Sequence, residues 1–108
     1  MSRVKIVVHV PPNSADSMRQ ALGEAGAGSV GAYTFCSFSY VGIGRFTPLE
    51  GAHPTIGAIE QAEAVSEESI EVVCDRKDAS QILKALRKVH PYEEPAYEVY
   101  QLIDEEEL

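Results

Sequence analysis

The sequence predicts one α+β domain, residues 1–108, in which a four-stranded antiparallel sheet carries two helices on one face. Four runs rich in β-branched and aromatic residues are bounded by turn residues, which is typical of strands. Two further runs repeat their apolar residues at helical spacing. With 108 residues and 44% hydrophobic content, the chain has the size of a single domain with a buried core.

A change of apolar spacing near the N-terminus predicts the first strand and the first helix. One face of the strand RVKIVVHV carries Val4, Ile6, Val8 and Val10. Pro11 and Pro12 end this strand, and Asn13 or Ser14 can cap the following helix. The apolar stripe of that helix consists of Met18, Ala21, Leu22 and Ala25. Gly26 and Gly28 are expected to end it, because glycine adopts a left-handed C-cap easily.

The remaining elements follow in the order strand, strand, helix, strand. The aromatic-rich run AYTFCSFSYV (32–41) predicts the second strand, and SIEVVCD (69–75) predicts the third. The second helix is indicated by Ala79, Ile82, Leu83, Leu86 and Val89. It is expected to end at His90, because a residue before proline leaves the helical region. The run AYEVYQLI (96–103) predicts the last strand, and residues 104–108 form an acidic tail.

The order β-α-β-β-α-β is that of the ferredoxin-like fold. Such a sheet has one helix-free face, which is either polar or covered by something else. Here Val7, Cys36 and Val73 are expected on that face. Because a large exposed apolar patch is unusual on a monomer, the pattern predicts a homo-oligomer.

Residues 41–62 are predicted to form a long ordered loop. Its central part, GIGRFTPLEGAHPTIG, contains four glycines and two prolines, and connections of this length are usually functional or disordered. Its apolar side chains favour order. The glycines expected to adopt special backbone angles are Gly42, Gly44, Gly51 and Gly57. We expect the loop to fold over the sheet or against a neighbour, with Gly44, Phe46 and Pro48 among its contact residues.

The net charge of −8 disfavours two classes of partner. Fourteen of the seventeen acidic residues follow Ile59, together with five of the nine bases. Nucleic acids and anionic membranes require a clustered basic surface, so neither is an expected partner. No apolar run has the length of a membrane span, and the N-terminus lacks a signal-peptide cleavage site, so we expect a cytoplasmic protein. In that compartment Cys36 and Cys74 are expected to be free thiols.

A dinucleotide fingerprint is mimicked by Gly26, Gly28 and Gly31, which have the spacing G-x-G-x-x-G. The true motif requires a strand before it and a helix after it, so that the pyrophosphate meets a helix N-terminus. Here the predicted order is reversed, so no nucleotide cofactor is expected. The sequence also lacks the common catalytic signatures, so no catalytic residue is assigned.

The segment HPYEEPAY has two interpretations. In the first, His90, Glu93, Glu94 and His53 bind a divalent metal, copper or zinc, because imidazole and carboxylate ligands suit these ions. In the second, the segment is a structural junction. Protonated His90 then faces the carbonyl end of the second helix, while Tyr92 and Tyr97 pack the entry to the last strand.

Two stretches carry a family resemblance: AGAGSVGAYTFCSFSYVGIGRFTPLEGAHPTIG (25–57) and HPYEEPAYEVY (90–100). They resemble the YqfO-type proteins, the bacterial branch of the NGG-interacting factor 3-like family. In longer members this segment is an inserted domain, and shorter members consist of it alone, as this chain is expected to do. The two-metal site of the long members lies in the flanking domains, so the resemblance does not imply hydrolase activity here.

The second stretch also resembles the CutA proteins, which read H-P-Y-E before their final strand. CutA and the signalling PII proteins are ferredoxin-like trimers, so the resemblance implies self-association as a trimer, with a dimer as the alternative; a protein partner is not identified. CutA proteins are associated with divalent copper, and the positions here that match their motif are His90, Pro91, Tyr92 and Glu93. This chain has Glu94-Pro95 where CutA typically has a valine before the proline. PII nucleotide sensing depends on several basic loop residues, whereas the loop here offers Arg45 alone.

These observations lead to three hypotheses. The chain is a small oligomeric binding or regulatory module, a metal-binding protein or metal-dependent enzyme, or a purely structural interaction domain.

Overall fold

The computed structural model describes residues 2–108, and in that range it contains four strands and two α-helices. In chain order they are β1 (Arg3–Val10), α1 (Ala15–Glu24), β2 (Phe38–Phe46), β3 (Glu63–Asp75), α2 (Ala79–Val89) and β4 (Ala96–Gln101). Short 3-10 turns precede both helices, at Pro12–Ser14 and Arg76–Asp78, and a third occupies Glu105–Glu107 of the acidic tail. The predicted sequence of elements is confirmed.

The four strands form one antiparallel sheet in the order β2-β3-β1-β4. The central pair is in register with Val4 opposite Cys74 and Val8 opposite Ile70. The strand order is that of the predicted ferredoxin-like fold. Because side chains alternate along each strand, this register gives the sheet one helix-covered face and one helix-free face.

The hydrophobic core lies between the sheet and the two helices. Its fully shielded members include Ile6, Val8, Met18, Leu22, Ile70, Ile82 and Leu86. Arg19 of α1 fastens the helix to the sheet edge: its Nη1 donates to Ser39 Oγ at 3.1 Å and contacts the Glu68 carboxylate. The two helices therefore cover the central part of one face of the sheet.

The prediction for β2 was wrong at both ends. The strand begins at Phe38 rather than at residue 32, because the Cys36 amide bonds the Gly28 carbonyl at 2.9 Å and Phe35 has a left-handed φ of 57°. Cys36 therefore does not lie on the helix-free face of the sheet. At the other end, residues 41–46 of the predicted 41–62 loop are strand, because they pair residue by residue with β3.

The loop between β2 and β3 therefore covers residues 47–62, and we call it the strap. Of the four loop glycines, Gly51 and Gly57 have positive φ. Gly42 and Gly44 lie in β2 with no positive φ, so the expectation of special angles was wrong for these two. No helix within residues 2–108 is long and apolar enough to span a membrane.

Candidate functional site

A cavity of about 600 Å³ lies at one end of the helix-free face, beneath the strap. Its floor comes from the sheet, with His9 of β1, Gly44 of β2, Glu67 of β3 and Ala96 of β4. Its apolar wall consists of Phe46, Pro48, Leu49, Ala52, Pro54 and Ile56. The segment between α2 and β4 completes it with Tyr92, Glu93 and Glu94. The cavity thus lies where three parts of the chain meet.

The strap is held over the sheet by polar contacts with the α2–β4 segment. The His53 backbone N–H donates to both carboxylate oxygens of Glu93, at 2.9 and 3.2 Å. The Thr55 hydroxyl donates to the Pro91 carbonyl at 2.9 Å. The base of the strap is closed where the Glu60 amide donates to the Pro48 carbonyl at 2.6 Å. These contacts lie within one chain.

His90 is a buried junction residue, and both of its ring nitrogens are occupied. Nδ1 accepts from the Tyr92 backbone N–H at 3.1 Å, and Nε2 lies 2.7 Å from the His9 carbonyl oxygen. Because Nδ1 accepts, the proton of the neutral ring is on Nε2, which donates to His9. Burial lowers the pKa of His90, which favours this neutral form. The predicted protonated His90 at the helix end was therefore wrong, because the ring instead ties β1 to the α2–β4 junction.

Glu67 is a buried carboxylate on the cavity floor. The residue is only 8% exposed, and its Oε2 accepts from the Tyr92 hydroxyl at 2.9 Å. Burial and the neighbouring carboxylate raise the pKa of Tyr92, so this hydroxyl stays protonated and remains the donor. Within residues 2–108, no hydrogen bond is recorded for the second oxygen, Oε1.

Gly44 leaves the space in which this carboxylate lies. A Cβ built at Gly44 would be 2.0 Å from Glu67 Oε1 and 2.5 Å from its Cδ. A Cβ at Gly42, two residues away on the same face of β2, would meet nothing within 4 Å. The close approach of the Glu67 side chain, rather than a backbone angle, is therefore what favours glycine at position 44.

The predicted contact residues divide between the two faces of the sheet. Gly44, Phe46, Pro48 and Tyr92 all line the cavity. Tyr97 lies on the opposite face, where it packs against the core and its hydroxyl accepts from Arg87 Nη1 at 3.4 Å. Its place follows from the register, since it pairs with Val8 of the core face.

The four predicted metal ligands lie near one another without converging. His53 is exposed and uses its backbone amide, Glu93 accepts that amide, and Glu94 is exposed at the cavity. His90 uses both ring nitrogens on backbone groups. Within residues 2–108, no three His, Cys, Asp or Glu side chains are arranged to hold a metal ion.

Sequence reasoning missed Glu67. Glu67 lies in the polar run SEES (66–69), and β3 was expected to begin only at Ser69, so Glu67 fell outside the predicted strand. An acidic side chain in such a run is ordinarily solvated, and no local pattern marks it as buried. Its burial depends on Tyr92, which is 25 residues further along the chain.

The rest of the helix-free face mixes aromatic, charged and small polar side chains. Ser69, at its centre, is 5% exposed, and its hydroxyl has no hydrogen-bond partner among the described residues. Tyr40 lies opposite Ser69 on β2, Tyr100 lies opposite Lys5 on β4, and both are half exposed. Lys5 Nζ pairs with Glu71 at 3.3 Å on the same face. Val7 and Val73 lie on this face, as their strand positions predicted.

No known family profile matches the chain, but individual relatives match nearly all of it. It is 44% identical over 106 residues to the GTP cyclohydrolase 1 type 2 homolog of Halalkalibacterium halodurans, which is 98% of this chain and 28% of that protein. The protein of the same name from Mycobacterium bovis is 41% identical over 99 residues, 92% of this chain and 26% of that one. The chain therefore spans about a quarter of the length of the curated relatives it matches.

Solved structures give the same relationship at the level of the fold. A Bacillus cereus protein related to NIF3 superposes with a TM-score of 0.84 at 42% identity, over 95% of this chain and 26% of that one. The Archaeoglobus fulgidus divalent cation tolerance protein CutA superposes with a TM-score of 0.64 at 17% identity, over 95% of this chain and 84% of that one. Bacillus subtilis GlnK superposes with a TM-score of 0.63 at 14% sequence identity, over 94% of this chain and 84% of that one.

The fold is thus an α+β, ferredoxin-like fold of the CutA and GlnK type. Over nearly its whole length, the chain is homologous to one segment of the YqfO-type, NIF3-related proteins, which confirms the family resemblance read from the sequence.

Proposed function

We propose that the chain is a small self-associating regulatory module that binds a small molecule in the cavity beneath the strap. The observation that carries this proposal is the cavity itself. Its volume of about 600 Å³ lies within the range of small-molecule sites, roughly 300–1,000 Å³. Such sites combine mostly apolar walls with a few placed polar groups, and here the apolar strap faces the Glu67–Tyr92 pair.

A regulatory role is supported by how the cavity is closed. The strap carries much of the apolar wall, and exposed polar contacts at His53 and Thr55 fasten it to the α2–β4 segment. Contacts of this kind contribute little stability individually, so the strap opens locally without unfolding the core. A bound molecule that contacts both sides would favour the closed strap.

We further propose self-association through the helix-free face, as a trimer. An unpaired buried hydroxyl at Ser69 and exposed rings at Phe38, Tyr40 and Tyr100 are features of a surface that is completed by a partner. Light scattering at micromolar concentration should give about 35 kDa, three times the chain mass of 11.8 kDa. A mass near 24 kDa would reject the trimer in favour of a dimer, and 11.8 kDa would reject self-association.

The proposal does not extend the cyclohydrolase activity of the relatives' name to this chain. The match covers about a quarter of the length of those proteins. We therefore do not assign the activity of the longer proteins to this chain. The ligand-binding proposal rests on residues of this chain alone.

Binding of N-phenyl-1-naphthylamine, a neutral dye that fluoresces in apolar surroundings, tests the cavity. We expect saturable fluorescence with one site per chain in the wild type. Ala52 lines the cavity, so Ala52→Phe should fill it and abolish the signal. Ala58 is exposed on the same strap outside the cavity lining, so Ala58→Phe is the matched control and should keep it. Absence of saturable binding in the wild type, or equal binding by both variants, would reject the proposal.

A further inference from the structure

We infer that the molecule bound in the cavity is an apolar or aromatic compound carrying one ammonium-type group, which is held by Oε1 of Glu67. This inference rests on the proposed small-molecule function and adds the chemical class of the ligand. Its basis is the burial, incomplete hydrogen bonding and position of one carboxylate.

Glu67 is nine-tenths buried as a residue, and the described residues supply a hydrogen bond to only one of its carboxylate oxygens. Oε2 accepts from the Tyr92 hydroxyl, and Oε1 has no recorded hydrogen bond within residues 2–108. An ionised carboxylate offers about four lone-pair sites to donors. Oε1 is not among the fully buried polar atoms without a partner, so it remains accessible, and a charged donor that reaches it makes a charge-assisted hydrogen bond beside a largely buried side chain.

The position of Glu67 makes that oxygen available to the cavity. The residue lines the cavity floor, and the absence of a side chain at Gly44 lets the carboxylate lie over β2. The Tyr92 hydroxyl fixes the group from its other oxygen. This hydrogen bond holds the carboxylate in one place before any ligand arrives, which reduces the entropy lost on binding.

The charges around the cavity favour a cation over an anion. Three carboxylates line it, at Glu67, Glu93 and Glu94, against the single guanidinium of Arg45. Arg45 is exposed, and strand alternation places its side chain on the opposite face of β2 from Gly44. Glu93 is already engaged by the His53 amide. Glu67 is therefore the buried acid with an acceptor oxygen still open.

The walls determine the rest of the ligand. Phe46, Pro48 and Ile56 from the strap side, together with the Tyr92 ring, present mostly carbon to the interior. An aromatic or branched aliphatic body would bury its surface against them. A highly polar cation such as a small polyamine would lose its hydration without comparable compensation from these walls.

Displacement of bound N-phenyl-1-naphthylamine by three matched compounds tests the inference. They are 1-naphthylmethylamine, 1-naphthylmethanol and 1-naphthylacetate, the anion of naphthalene-1-acetic acid. The three share one aromatic body and differ in the charge of the attached group. We expect the ammonium compound to bind about tenfold or more tighter than the alcohol, since hydrogen bonds to charged groups are the stronger class. The carboxylate should bind most weakly.

Two variants assign the preference to Glu67. Glu67→Gln keeps the shape and an acceptor for Tyr92, and it should reduce the preference for ammonium over alcohol to about twofold or less. Gly44→Ala should shift the carboxylate, because the added Cβ would occupy its position, and should weaken ammonium binding. Gly42→Ala meets open space on the same face of the same strand and should leave ammonium binding unchanged.

The outcomes separate the two proposals. Dye binding with no ammonium preference, or a preference that persists in Glu67→Gln, would overturn the ligand class and leave the cavity proposal standing. Absence of dye binding in the wild type would overturn both. If Glu67→Gln fails to fold by circular dichroism, the wild-type comparison of the ammonium and carboxylate compounds and the Gly44/Gly42 pair still decide the question.

Discussion

The helix-covered and helix-free faces of the sheet are built from the same strands but are closed in different ways. On the covered face, Ile6, Val8 and Ile70 are completely shielded and meet the apolar sides of two helices. On the other face, Ser69 and Glu67 are also buried, yet the Ser69 hydroxyl and one Glu67 oxygen lack partners within residues 2–108. The first face therefore stabilises the fold, whereas the second retains unsatisfied polar groups and a cavity, features that a ligand or a second copy of the chain can complete.

Replacing one leucine on each face by alanine, Leu86 in the core and Leu49 on the strap, should give the largest difference in the free energy of unfolding. Leu86 in α2 is 0% exposed, so Leu86→Ala should lower the free energy of unfolding by about 3 kcal/mol through lost burial and a new void. Leu49 on the strap is 69% exposed, so Leu49→Ala should cost less than about 0.5 kcal/mol. Urea unfolding measures both. Equal losses would mean that the strap belongs to the cooperative core.

Removing His90 should produce the next largest effect. His90→Ala leaves the His9 carbonyl and the Tyr92 amide without their ring partners, at a cost of about 2 kcal/mol. His53→Ala is the control, because the recorded bond of this residue uses its backbone amide. Cu²⁺ and Zn²⁺ titrations should show equal, weak binding to wild type and His90→Ala. Tight wild-type binding that disappears in the variant would instead make His90 a metal ligand.

The same histidine predicts a dependence of stability on pH. Its folded-state pKa is lowered by burial, so the unfolded chain takes up the proton first as the pH falls. The contribution of neutral His90 to stability is complete above its pKa in the unfolded chain, about 6.5. It is lost as the pH falls from there through the pKa in the folded protein. Denaturation between pH 8 and 5 should therefore be less pH-dependent in His90→Gln than in the wild type. Identical profiles would contradict a neutral buried ring.

The smallest expected effect is at the contact that fastens the strap. Glu93→Ala removes the acceptor of the His53 amide, so that amide should exchange with solvent about fivefold faster, with little change in global stability. Glu94→Ala is the neighbouring control, since Glu94 is exposed and has no recorded hydrogen bond. Unchanged exchange in Glu93→Ala would show that other contacts hold the strap.

The helix-covered face could be predicted from sequence because its signals are local. The alternation from Val4 to Val10 and the helical stripe from Ala79 to Val89 each identify an element and its buried side. The end of α2 at His90 followed from the proline after it. These patterns were enough to give the order of elements and the ferredoxin-like arrangement.

The cavity depends on long-range contacts that no local pattern reveals. The second half of β2 was not predicted, because Gly42 and Gly44 are untypical of a strand. It is defined by its pairing with β3. Glu67 lay in a polar run, and its burial requires Tyr92 from the α2–β4 segment. HPYEEP was identified as a junction or a site, but the role of His90 depended on a bond to His9, 81 residues earlier.

Amide chemical shifts during titration with 1-naphthylmethylamine test most directly whether the helix-free face binds an ammonium-bearing apolar molecule. We expect saturable shifts at Gly44, Thr55, Glu67 and Tyr92, and none at Ile70 or Leu86 in the core. The same titration with 1-naphthylacetate should produce smaller shifts at these positions. Shifts confined to the helix-covered side, or no saturable shifts at the four cavity residues, would contradict the account.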